Sequence, residues 1–191
     1  MSNQATAITV DGIELPQPGV YEIDAAHSSV EFVARHLMVA KVRGRFDQVQ
    51  GSLTVGLHPG QAEVSATIDA GSINTANEQR DGHLRSPDFL DVERYPTLRF
   101  RSTSVKQAGG NRLTMSGDLT IRDVTKPVEL DVTFEGVASD PFGNAKAVFS
   151  AETEIDREDW GITWNQALET GGVLVGKRVK IQLEISAIRK P

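Results

Sequence analysis

The stretch LTMSGDLTI, Leu113–Ile121, alternates without a break. Leu113, Met115, Gly117, Leu119 and Ile121 fall on one side, and Thr114, Ser116, Asp118 and Thr120 on the other. A period of two predicts a strand with one dry face and one wet face. That pattern belongs to antiparallel sheet rather than to βαβ units. The next run repeats it, with Val128, Leu130, Val132 and Phe134 opposing Glu129, Asp131, Thr133 and Glu135. So do Val30–His36, Val42–Phe46, Ala62–Asp69, Leu98–Arg101, Ala147–Ile155 and Val179–Ser186, with Leu53 and Val55 as a shorter piece. About eight strands with no long helix over their dry faces must close on themselves or pack on a second sheet. Turn signals at His58–Gly60, Ala108–Asn111 and Asp140–Asn144 join neighbours directly and favour an up-and-down order.

One stretch departs from this pattern. NEQRDGHLRSPDFLD, Asn77–Asp91, is charged and helix-permissive. Thr75 and Glu78 read as a capping box, and Ser86-Pro87 reads as a second N-cap followed by proline. Two short helices are therefore expected, over 76–85 and 87–91, as an insertion near residues 75–91. Their apolar residues are Leu84, Phe89 and Leu90. Such a piece suits either one open end of a barrel or a side wall.

The chain has 191 residues and reads as one domain, residues 20–191, preceded by an N-terminal arm, residues 1–19, that ends in the turn-like PQPG. With no cysteine, disulfides and thiol chemistry are excluded. A formal net charge of −6 argues against nucleic acid as a partner. No basic n-region with an apolar run marks a signal peptide, so the expected location is cytoplasmic.

Motif by motif, the catalytic and metal readings are weak. GGVLVGK, Gly171–Lys177, matches most of a phosphate loop, but Arg178 stands where a hydroxyl is needed, and a strand follows instead of a helix. His27, His36, His58 and His83 show no metal-ligand spacing. Asp24, His27 and Ser28 are neighbours in sequence, which does not make a triad. No catalytic residue, metal or cofactor is expected. Lys41, Arg43 and Arg45 repeat every second residue on a wet face, as a solvated surface or as a patch for an anionic membrane or phosphate-bearing ligand. Trp160 and Trp164 suit either a core or a pocket mouth.

Five phrases, in order, resemble the YceI family: YEIDAAHSSVEFVARH (Tyr21–His36), VRGRF (Val42–Phe46), RDGHLRSPDFLDVERYPTLRF (Arg80–Phe100), SGDLTIRDVTKPVEL (Ser116–Leu130) and IDREDWGI (Ile155–Ile162). There are two departures. Arg122-Asp123 stands where the family often has a small or histidine–glycine pair, and the secretory leader common in the family is absent. The resemblance implies an all-β, lipocalin-like antiparallel β-barrel with a helical insertion, non-enzymatic and dimeric. Its ligand would be a long isoprenoid lipid, such as a polyprenyl phosphate, an isoprenoid quinone or a related amphiphile.

The small dry-face residues Ala34, Gly44, Gly51, Ala62, Ala66, Gly117, Ala147 and Ala151 fit that reading by leaving room along a channel. Equally, they would suit strand crossing and sheet coiling. The expected ligand-binding set is Phe32, Phe46, Leu84, Phe89, Phe100, Met115, Leu119, Phe134, Phe149 and Trp160 around the tail. His36, Arg80 and His83 are expected at the head. Isoprenoid carriage or storage, a homodimer and transient contact with a membrane surface are the expectations. The alternatives are an enzyme using His83 with Asp81 or Asp88, and a stress-response interaction module with a solid barrel.

Overall fold

The alternating runs become the staves of a closed barrel. The computed structural model describes residues 7–191. In chain order the strands are β1 (Ala7–Val10), β2 (Ile13–Pro16), β3 (Gly19–Ile23), β4 (Ser29–His36), β5 (Ala40–Phe46) and β6 (Val49–Val55). Then come β7 (Glu63–Asp69), β8 (Ile73–Asn74), the helix α1 (Glu78–Arg85), β9 (Thr97–Gly109), β10 (Arg112–Ile121), β11 (Val124–Ser139), β12 (Ala145–Asp156) and β13 (Val175–Arg189).

Every pairing is antiparallel, and the barrel has eight staves. Three of them are bent and counted as two strands each. β3 and β4 lie along the same flank of β13, β6 and β5 follow in register beside them, and β7 and β8 come next. β9 to β13 complete the ring, closed where Phe149 of β12 pairs with Ile185 of β13. At the upper end the wall is incomplete. β5 bonds to β8 only through Arg45 and Phe46, so Ala40–Gly44 forms a free edge.

Two regions differ from the sequence expectation. Residues 1–6 lie outside the described residues, but much of the remaining arm is a hairpin, β1–β2, turning at Asp11-Gly12. Ile13, Leu15 and Pro16 are buried, and Ala7 packs on the core of Tyr21, Leu53, Val55 and Phe134 at the lower end. Alternation along IELP puts Ile13 and Leu15 on one side, which the hairpin lays against the barrel. In the insertion only the first helix forms. Its cap is Asn77, whose side chain accepts from Arg80 N, while Thr75 turns to Asp81. Pro87–Leu90 is a hydrogen-bonded turn, halted where Asp91 adopts φ 50°.

Candidate functional site

The barrel interior is not filled. A cavity of about 320 Å³ runs between the two ends, lined almost wholly by apolar side chains. Side chains lining such a void lack contact partners on one side, which an apolar occupant would supply.

Apolar side chains from outside the staves join the lining at both ends. Below, Leu15 and Pro16 of the β1–β2 hairpin join the lining beside Val55 and Pro59. Above, the insertion supplies Leu84, Phe89 and Leu90, and the loop after β12 adds Ile162. Trp160 is buried in this upper cluster, with Nε1 donating to Leu119 O at 3.0 Å. The insertion is clamped rather than loose. Arg80 Nε donates to Thr75 Oγ1 and Nη2 to Thr75 O, while Arg85 donates to Gly71 O and Ile73 O. Buried Asp81 accepts from Thr75 N and Thr75 Oγ1.

Of the tail residues expected from sequence, Phe32, Phe46, Phe100 and Phe149 line the cavity from the wall. Met115 and Leu119 do so from β10, and Leu84 and Phe89 from the insertion. Phe134 does not. It is buried in the lower core against Phe149, ring centroids 5.3 Å apart. Trp160 is likewise core rather than lining.

The small wall residues divide. Ala34, Ala62, Ala66 and Ala151 face the cavity, whereas the glycines leave no void. The ring of Phe32 covers Gly44 and that of Phe100 covers Gly117, so a β-carbon there would stand 2.3 and 2.4 Å from a ring carbon. Gly51 is closed off by the Ser65 carbonyl. Ala147 is buried in the lower core.

Of the expected head residues His36, Arg80 and His83, none lines the cavity. His83 Nε2–H donates to Asp88 Oδ2 at 2.8 Å, both side chains nearly half exposed, and its ring stands edge-on to Trp164 and Phe89. The pair has acid–base geometry but sits outside the channel.

Arg157, which sequence reading passed over, is the one Arg or Lys side chain lining the cavity among the described residues. It is 5% exposed and donates to the carbonyls of Gly176, Ile162 and Val175. Burial pushes its pKa down, against the opposing pull of Glu158 and Asp156. In REDW it looks like any solvated charge; its burial comes from the 3₁₀ turn Arg157–Trp160, capped by Asp156. The Asp24–His27–Ser28 neighbourhood is no triad, since the Ser28 hydroxyl exchanges hydrogen bonds with the Ser186 backbone. The GGVLVGK stretch is a turn leading into β13, with Lys177 paired to Glu158.

The profile of the YceI-like domain matches residues 21–187. The chain belongs to the YceI-like family. Its relatives include the UPF0312 protein SA2479 of Staphylococcus aureus strain N315, 42% identical over 164 residues, covering 85% of this chain and 93% of that protein. Among solved structures, the Campylobacter jejuni YCEI protein superposes with a TM-score of 0.70 at 27% identity, over 82% of this chain and 90% of that one. Burkholderia cenocepacia BcnA gives a TM-score of 0.74 at 24% identity, over 86% and 98%. A polyisoprenoid binding domain from Saccharophagus degradans gives 0.68 at 15%, over 91% and 100%. The last two share the fold with this YceI-like chain. The β1–β2 hairpin precedes the matched residues.

Proposed function

We propose that the protein binds a long isoprenoid chain in the barrel and carries or stores it without transforming it. The observation that carries this reading is the apolar cavity, lined from the β1–β2 hairpin to the helical insertion. Support also comes from the family and from the likeness to a polyisoprenoid binding domain. Burial contributes about 0.8 kcal/mol per CH₂, reduced by the cost of ordering a flexible tail.

The head is assigned to Arg157 rather than to His36, Arg80 or His83. Arg80 and His83 already donate to Thr75 and Asp88, and none of the three borders the channel. Arg157 donates to three carbonyls and keeps further N–H groups for a phosphate or quinone oxygen.

Native mass spectrometry of protein purified from its own host tests the reading. An adduct with the mass and fragmentation of an isoprenoid lipid is the expected result. Protein that flies ligand-free, and takes up no prenyl lipid on incubation, would overturn it.

A further inference from the structure

At the upper end the β4–β5 hairpin exposes three consecutive apolar side chains, Leu37, Met38 and Val39, at 45%, 54% and 78%. Leu37 and Met38 both take positive φ, 52° and 66°, and the Val39 N–H donates to His36 O. This is the sign pattern of a type I′ turn, whose central positions favour Asn and Gly. Bulky residues in that geometry are outliers, and such strain concentrates at functional sites. The tip is also held in place. Leu37 N donates to Leu174 O, and Met38 lies over Gly172, so it adjoins the loop that closes the channel.

Below the tip the outer face is cationic. Arg35, Lys41 and Arg43 are exposed, and among the described residues no acidic side chain pairs with them, whereas Arg45 is paired with Asp47 at 2.7 Å. Arg35 stands directly across from Lys41, an arrangement that like charges disfavour. Cations along the free edge of β5 would deter edge-to-edge pairing. That role explains the charges but not the three apolar residues beyond them. On a chain of net charge −6, this local patch is what would let the protein approach a negative surface, and it fixes the orientation of approach.

We infer that the β4–β5 hairpin is a membrane-docking element. Leu37, Met38 and Val39 enter the acyl boundary of an anionic bilayer, and Arg35, Lys41 and Arg43 hold its headgroups. This places the mouth side of the barrel against the membrane. It extends the carrier reading, but its readout stands apart from it because the vesicles used contain no isoprenoid.

The test is co-sedimentation of the purified full chain with phosphatidylcholine vesicles, with and without phosphatidylglycerol. The protein is expected to sediment with the anionic vesicles and stay in solution with the neutral ones. Lys41→Ser/Arg43→Ser should lower partitioning about fivefold for each cation removed. Leu37→Asn/Met38→Gly should abolish sedimentation while raising the melting temperature, which separates lost docking from lost folding. Wild-type protein that stays in solution with anionic vesicles, or variants that sediment as wild type does, would overturn the inference.

Discussion

Two hairpins at opposite ends of the barrel turn through the same left-handed geometry with opposite chemistry. In β1–β2 the positive φ values, 52° and 78°, fall on Asp11 and Gly12, which accept them readily. In β4–β5 they fall on Leu37 and Met38, where non-glycine residues are disfavoured by about 1–2 kcal/mol each. The first hairpin buries Ile13 and Leu15; the second exposes its apolar tip. At the lower end, turn chemistry, alternation and burial all agree, as in a segment selected for folding. At the upper end turn preference and surface polarity are both violated at one place, which marks a segment held for another purpose.

The largest expected effect lies in the lower hairpin. Ile13→Ala should weaken its docking by about 2–5 kcal/mol, read as lost hydrogen-exchange protection of the β1–β2 amides. Unchanged protection would mean that burial of Ile13 does not hold the hairpin and that the contrast is superficial.

Between them, at the bend joining β3 to β4, Lys146 Nζ donates to Asp24 Oδ2 at 2.7 Å. This bond, more than that from His27, holds the Asp24 carboxyl below its ordinary value. A lowered carboxylate pKa stabilises the fold above the unfolded value and loses that contribution as pH falls through the folded one. Lys146→Met should therefore cost about 1.5 kcal/mol near neutrality, the low end for a charge-assisted bond because the pair is partly screened by solvent. Denaturant titrations should show the difference closing below the usual carboxylate range, about pH 4. A pH-independent difference would assign the effect to packing.

The smallest change is a gain. Leu37→Asn/Met38→Gly should raise stability by a net of about 1 kcal/mol, the left-handed cost removed less the lost contact of Met38 over Gly172, measured by chemical denaturation. A loss would show that the exposed tip contributes packing that outweighs its strain.

Period-two alternation made the staves legible, and it named the face of Phe32, Phe46, Phe100, Phe134 and Phe149. It did not show the irregularity after Phe134, where the β11–β12 register shifts, so Phe134 and Phe149, cross-strand partners, looked equivalent although only Phe149 reaches the cavity. The helix was legible too, but Asn74, Thr75 and Asn77 crowd its start, and spacing alone favoured the wrong cap. The β1–β2 hairpin was readable in Asp11-Gly12 between AITV and IELP. The terminal PQPG instead suggested an arm. Arg157 carried no local signal, because its burial depends on carbonyls from β13 and from Ile162 that only the closed fold brings together.

The glycines beneath Phe32 and Phe100 have one more consequence. Each ring rests in a socket made by a missing β-carbon, so the gauge of the bore depends on how deeply two planar groups seat. Adding one methyl to either floor would lift a ring toward the axis and narrow the passage, as a shim tightens a bearing. Under the carrier reading, the width open to a guest would thus be set from behind the wall, by atoms the guest would never meet.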